Sequence, residues 1–387
     1  MAKLSTKSYA VVIRKFQQLG HIMEESTIKQ QDFNDEDVIM MGPPSNASDA
    51  KTRIKWYRPS IDRDQLAELN QRSNLKGAIQ TFGFLFVLIV SSGLAVYSSI
   101  KWPWYCTLLL ILVNGHFWQF LINGFHELLH DAVFKTKWLN QVFLRIFGFL
   151  GWHNPHLFWA SHTEHHKYTL SPPDDGEVVL PLPFDFRRFW LHSIINFRFP
   201  YVVLKAKART LFGGLHSDER YPWNDEWVQS LFPISDPKRA RAFTNFERVI
   251  LLGHSAILVT ALINGQWAIP LIITFPQMFG GWLQNLCNTA QHIGLRDKVT
   301  DFRLCCRTIY LNPVLQFLYW HMNYHTEHHM FAAVPCYKLK RLHNLIKNEM
   351  PYCPNGLLET WRHISEILQT QKRDPEFQYE PILPSMH

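Results

Sequence analysis

Three histidine clusters are the residues best suited to do chemistry: His126-Glu-Leu-Leu-His130, His162-Thr-Glu-His165-His166 and His325-Thr-Glu-His328-His329. On a helix, spacings of i, i+3 and i+4 project imidazoles from one face, so one turn supplies two or three nitrogen donors to a metal ion. The chain carries 20 histidines in 387 residues, and even at that content two identical HTEHH copies are far rarer by chance than one. Metal chemistry is therefore the first hypothesis. The first cluster alone also fits the HExxH pattern of zinc proteases, with His126 and His130 as ligands and Glu127 as general base. A zinc hydrolase needs three protein ligands and leaves the other clusters unexplained, which counts against that reading. Eight histidines suit two metal ions instead, and all-imidazole sites with open positions suit iron among other transition metals. His292 is a further candidate ligand at the end of a long apolar run, with Asn288 one turn earlier on the same face.

Charge-free runs supply the elements that must bring these clusters together. Residues 77–100 and 102–125 contain no Asp, Glu, Lys or Arg, and each run is long enough as a helix to cross about 30 Å of hydrocarbon. Lys101 and Pro103 separate them, with Trp102 and Trp104 as interfacial anchors, so the two runs read as a helical hairpin. Residues 249–295 are also uncharged, too long for one crossing and interrupted at Asn264-Gly265-Gln266, which predicts a second hairpin. The expected fold is an all-α membrane protein: four transmembrane helices in two hairpins, with a helical cap that holds the histidine clusters. Residues 1–54 read as a polar segment and linker, 55–370 as the membrane domain with its cap, and 371–387 as a tail. Residues 34–52, with Gly42, Pro43 and Pro44, cannot bury enough surface to fold.

Four crossings place both termini and the segments 126–246 and 296–387 on one side. Arg187, Arg188, Arg198, Lys205, Lys207, Arg209, Lys238, Arg239 and Arg241 lie there, against Lys101 in the opposite turns, so positive-inside asymmetry makes that side cytosolic. The first thirty residues hold Lys3, Lys7, Arg14 and Lys15 with no apolar core after them, which argues against a secretory signal peptide. Asn46-Ala47-Ser48 matches a glycosylation acceptor that a cytosolic segment would never use. The net charge, 39 minus 32 or +7, reads as a basic face beside an anionic leaflet; no nucleic-acid motif appears. Residues 184–215 are aromatic, basic and too charged to span, as expected of helix lying at the interface. The six cysteines show no CxxC spacing, which argues against disulfides and zinc ribbons.

With three ordered clusters set between two hairpins, the chain resembles the membrane fatty-acid desaturase and hydroxylase superfamily. The signature of that family is HxxxH or HxxxxH, then HxxHH, then HxxHH or QxxHH, and the resemblance covers roughly residues 55–370. It implies a di-iron centre at the cytosolic ends of four crossings, held by His126, His130, His162, His165, His166, His325, His328 and His329. Acyl-CoA desaturases of the family add a histidine after the fourth crossing and, four positions earlier, an asparagine holding a metal-bound water; His292 and Asn288 match that spacing. Neither the HNEHHDFP box of sphingolipid desaturases nor the HPGG motif of a fused cytochrome b5 is present. The stretch from HTEHHMFAAVPCYKLKRLH to Trp361 is similar to bacterial members typified by the rhizopine-catabolism oxygenase, which are paired with a Rieske-type ferredoxin.

The resemblance implies an O2-dependent oxidoreductase acting on unactivated C–H bonds, with two iron ions as cofactors and O2 as co-substrate. Desaturation of a fatty-acyl or membrane lipid chain is the expected reaction. Hydroxylation or oxidative demethylation of a smaller substrate is the alternative, and a metal-storing membrane protein without turnover is a reading of another class. No haem motif, flavin or nicotinamide fingerprint or iron–sulfur cysteine set appears in the chain. A separate electron donor, cytochrome b5 or a ferredoxin with its reductase, is therefore expected on the basic face. Metal-bound imidazoles donate their other nitrogen to a carboxylate or carbonyl, so Glu127, Asp131, Glu164 and Glu327 are candidate orienting residues, Glu164 and Glu327 above all for their identical placement. Asp174, Asp175 and Glu177 follow the second box and offer a way to shape a substrate mouth, but read better as a solvated loop. His153, His156 and His321 read as ordinary hydrogen-bonding residues, and His343 receives no role.

Overall fold

The computed structural model describes residues 53–182, 184–212, 214–216 and 223–384. The linker over residues 34–52, the basic set at Lys3, Lys7, Arg14 and Lys15 and the Asn46 acceptor lie outside them. Among the described residues every regular element is helical, and β pairing is limited to isolated bridges such as Tyr57 with Asp301.

Helix α1 (Arg63–Asn70) starts on Asp62, whose carboxylate accepts the backbone N–H groups of Asp64 and Gln65. Helix α2 (Asn74–Lys101) turns at residues 102–103 into α3 (Trp104–Gln119), and α4 (Leu121–Leu129) continues that direction past a break at Phe120. The buried side of α2 carries Gly77, Gln80, Thr81, Ser91 and Ser98 among its apolar residues, while Leu75, Ile79, Phe82, Phe86 and Ile89 face outward. That inverts the pattern of a water-facing helix. It suits hydrocarbon, where apolar side chains gain nothing from burial and small or hydrogen-bonding residues mark the packed face. The hairpin is joined accordingly: Ser91 and Ser92 donate to Asn114 Oδ1 at 2.8 and 2.9 Å, and Ser98 and Thr107 share a hydrogen bond of 2.7 Å.

The middle of the chain forms α5 (Lys137–Leu150), α6 (Pro155–Tyr168), α7 (Phe186–Ile194), α8 (Arg198–Leu211), α9 (Asp225–Leu231) and α10 (Pro237–Ile263). Helices α7 and α8 occupy the aromatic and basic stretch where interfacial helix is expected. Lys207, counted there with the basic face, is instead buried, with Nζ 2.8 Å from Glu247 Oε2, and this pair ties α8 to α10. Among the described residues, three helices are long and apolar enough to cross a membrane: Asn74–Lys101, Trp104–Leu129 and Pro237–Ile263.

The return limb of the second hairpin differs from the expected continuous helix. After the turn at Gly265 (φ +64) it consists of a π turn, Pro270–Thr274, a 3-10 turn, Pro276–Met278, and only then α11 (Trp282–Thr289). Two prolines remove backbone donors, and Gly280 stands at φ +67, where a Cβ would lie 2.8 Å from the backbone nitrogen of His116. The freed carbonyls are claimed by distant side chains. Asn114 Nδ2 donates to Ile272 O at 3.0 Å, Gln119 Nε2 to Gln277 O at 2.6 Å and Trp152 Nε1 to Thr274 O at 2.7 Å. Irregular backbone buried in apolar surroundings is tolerated where protein groups satisfy it in this way.

The last third builds the cap: α12 (Phe302–Cys305), α13 (Pro313–Leu318), α14 (His325–Met330), α15 (Leu339–Ile346) and α16 (Gly356–Gln371). Both ends of the described chain strap onto it. Trp56 stacks on Phe302 at 4.0 Å and donates Nε1 to Lys167 O at 2.9 Å, and Tyr379 N–H bonds to Gly294 O at 2.8 Å.

Candidate metal centre

Each cluster is presented by a helix whose ends are fixed by its own sequence. His126 lies in the last turn of α4 and His130 is its C-cap, the helix stopping before Asp131, which enters the left-handed region at φ +52 and accepts Gln141 Nε2 at 2.8 Å. Helix α6 begins at Asn154, whose Oδ1 accepts the N–H groups of His156 and Leu157. The Nδ2 of Asn154 donates to Phe243 O and, at 2.7 Å, to Glu247 Oε1, so this cap also anchors the second box on α10. The third box is α14 itself, reached through a reversal at Trp320 and His321, both at positive φ.

The helices bring the donors into two buried groups. One nitrogen each from His126, His130, His162, His166 and His328 lie within 4.8 Å of one another, and so do donor atoms of His292, His325, His329 and Cys306. In the first group His126 Nε2 is 2.7 Å, and His166 Nε2 2.9 Å, from His162 Nε2. In the second, His325 Nε2 is 2.9 Å from His292 Nε2 and 3.1 Å from His329 Nε2. His165 stands beside the second group, its ring 5.3 Å from that of His292 and 4.9 Å from that of His329.

These residues fit a cation. His130 and His328 each keep buried ring nitrogens with no hydrogen-bond partner among the described residues, and a metal ion would satisfy the one on each ring that faces the group. Burial, reinforced by neighbouring imidazoles, holds His130, His162, His166, His325, His328 and His329 well below the ordinary histidine value. They are neutral at physiological pH and present lone pairs.

Carboxylates hold the opposite ring nitrogens. Asp175 Oδ2 is 2.8 Å from His165 Nδ1 and Glu177 Oε1 is 2.9 Å from His162 Nδ1. A carboxylate accepts, so the proton is assigned to Nδ1 and the Nε2 lone pair faces the group. Asp175 also accepts the N–H groups of Leu170, Glu177 and Val178, and is fully buried rather than part of a solvated loop. Glu127 Oε1 lies 3.1 Å from His126 Nδ1 and 3.6 Å from His328 Nδ1, joining the first box to the third. Glu164 and Glu327 diverge despite identical placement. Glu164 pairs with Lys167 at 3.0 Å, whereas Glu327 is buried and lies 2.5 Å from both Thr308 Oγ1 and His343 Nδ1. The carboxylates on the ring nitrogens of the second box are thus Asp175 and Glu177. Asn288 Oδ1 accepts from Asn123 Nδ2 at 3.3 Å and Tyr319 OH at 3.2 Å, one turn of α4 before His126.

Asp175, Glu177, His343 and Cys306 are the site residues that sequence reasoning missed. For the two acids a signal existed, since both follow the second box within fifteen residues; the other two share no spacing with any box. His321 bonds to Gln316 at 2.9 Å, in keeping with its ordinary reading. The HExxH reading does not hold up. His126 and His130 belong to a five-histidine group, and the buried Glu127 faces imidazoles rather than a cleft.

A model of the fatty acid desaturase family matches residues 102–361, more than half of the chain. Delta(6)-fatty-acid desaturase fat-3 of Caenorhabditis elegans is 23% identical over 320 residues, which cover 76% of this chain and 69% of that one. The matched region opens at the turn of the first hairpin and takes in all three boxes together with the acids that hold their rings. A fatty acid desaturase family assignment accounts for the histidine groups and the apolar helices at once, and the chain belongs to that family as a membrane oxidoreductase.

Proposed function

We propose that the two groups hold two iron ions and that the protein uses O2 to desaturate a fatty-acyl or lipid chain. The observation that carries this reading is the meeting of eight histidines, from segments far apart in the chain, in two adjacent buried donor sets, with His165 beside the second. His126, His130, His162, His166 and His328 would hold one ion, and His165, His292, His325 and His329 the other. Irons held there would supply oxidation of an unactivated C–H bond. Asp175 and Glu177 keep the second-box imidazoles in the tautomer that offers Nε2. Glu127 sets His126 against His328, and Glu327 braces α14 through Thr308 and His343. Asn288, four positions before His292, is assigned to the second ion beside it, with its Oδ1 held by Asn123 and Tyr319.

The broken limb of residues 268–295 completes a fourth crossing, with the site and both termini on the cytosolic side. Electrons come from a separate acidic donor, a cytochrome b5 or ferredoxin, steered to the exposed Arg187, Arg188 and Arg198. The acyl substrate is supported by the relative whose name states a fatty-acid desaturase. Expression in a host supplying both donor types, with mass spectrometry of lipids, tests the reading. The expected product is a lipid lighter by two hydrogens, made by protein holding about two irons per chain. A lipid heavier by one oxygen from labelled O2 would replace desaturation with hydroxylation. Unchanged lipids beside an oxidised or demethylated polar compound would sink the acyl substrate.

A further inference from the structure

We propose that Cys306 supplies a sulfur donor to the second ion, making that site a mixed imidazole and thiolate set rather than an all-imidazole one. The inference rests on the two-ion reading above. It starts from the geometry of residues 305–309, a segment that carries none of the histidine boxes yet is stitched to two of the histidine-bearing segments. On one side, Arg307 N–H donates to Gln291 O at 2.8 Å, its guanidinium bonds to Ala290 O and Ile293 O, and Cys305 O lies 2.8 Å from His292 Nδ1. On the other, Ile309 N–H donates to Asn323 O at 2.8 Å, Asn323 Nδ2 donates back to Ile309 O, and Thr308 Oγ1 lies 2.5 Å from Glu327 Oε2. Cys306 sits between these two sets of bonds. Its own N–H closes the turn of α12 onto Phe302 O at 2.8 Å.

The side chain is therefore aimed by its neighbours. Cys306 Sγ falls in the same 4.8 Å group as the donor atoms of His292, His325 and His329, and the residue is 2% exposed. Cys305 differs: its Sγ contacts Phe302 O at 3.8 Å, lies 3.9 Å from Cys306 Sγ and is no member of the donor group. Adjacent cysteines thus separate into one packing thiol and one facing the site. Binding exchanges the S–H bond for an Sγ–metal bond, the proton leaving to solvent, with no change in oxidation state. A thiolate is a softer and more electron-rich donor than imidazole, so the two ions would differ in character, the Cys306 ion being the harder to reduce.

Cobalt(II) loaded into the detergent-solubilised full-length protein tests the assignment without reference to turnover. Wild type and Cys305→Ser should show an intense near-ultraviolet sulfur-to-cobalt charge-transfer band. Cys306→Ser should lose the band while keeping about two cobalt ions per chain. X-ray absorption of the wild-type cobalt protein, which needs no variant to fold, should find a sulfur neighbour at roughly 2.3 Å, the length typical of a metal–thiolate bond. Two cobalt ions with only nitrogen and oxygen neighbours, or a band that persists in Cys306→Ser, would overturn the sulfur donor and leave the two-ion reading standing. A protein that takes up no cobalt would overturn both.

Discussion

The second and third boxes are the same five residues, HTEHH, in two surroundings, and the difference shows how little of a metal site a motif contains. Both project imidazoles from one helical face, His162, His165 and His166 from the 14-residue α6 and His325, His328 and His329 from the 6-residue α14. Beyond that they part. Box two is backed by a loop that folds over it, placing Asp175 and Glu177 on its ring nitrogens while Glu164 pairs outward with Lys167. Box three is wholly buried. Its His328 faces Glu127 of box one, its His329 Nδ1 lies 3.2 Å from Thr169 Oγ1 behind box two, and its Glu327 turns away to Thr308 and His343. The pentapeptide determines where the nitrogen atoms go. Whatever segment happens to cover the helix determines what holds them.

Five substitutions would break or sharpen this contrast. The largest effect belongs to the imidazoles, where the boxes should behave alike. His162→Ala and His328→Ala each remove a donor from the five-histidine group, and each should lower iron from about two to about one or fewer per chain and abolish product formation. Full iron content in either variant, by plasma mass spectrometry, would remove that residue from the site. Next come the carboxylates of box two. Asp175→Asn should weaken iron binding by about 10- to 100-fold in chelator competition, as for partners that orient metal-bound imidazoles. An unchanged affinity would reduce Asp175 to a loop-closing residue.

Glu327→Gln keeps the shape but turns a double acceptor into a group with its own donors, facing Thr308 and His343 in a dry interior. About 1 to 3 kcal/mol of stability should be lost, read as a lowered unfolding midpoint at saturating iron. Glu164→Gln should be the smallest change, under about 1 kcal/mol, because it weakens an ion pair that keeps some access to water, Lys167 being 26% and Glu164 13% exposed. If the two glutamate variants cost the same, the identical placement outweighs the different burial, and the contrast drawn between the boxes fails.

What the sequence by itself determined is whatever acts within a few turns of helix. Histidines three and four apart share a face wherever the helix lies, and uncharged runs such as residues 77–100 and 102–125 fold as helices long enough to span a membrane whatever packs on them. The turns at residues 101–103 and at Gly265 were equally local, set by Pro103 and by a residue free to take positive φ. The break in the return limb was only half visible. Pro270, Pro276 and Gly280 stood in the sequence, but an opened backbone survives in hydrocarbon only if its carbonyls find donors. Those donors, Asn114, Gln119 and Trp152, lie more than a hundred residues away. The same separation hid the partners of the imidazoles. An acid ten residues beyond a box is solvated or buried according to how the loop closes, and a cysteine outside every motif becomes a candidate donor only when Arg307 and Asn323 stitch its segment between His292 and the third box. Nitrogen direction is a property of one helix, whereas burial, tautomer and the full donor set are properties of contacts between segments, which no spacing encodes.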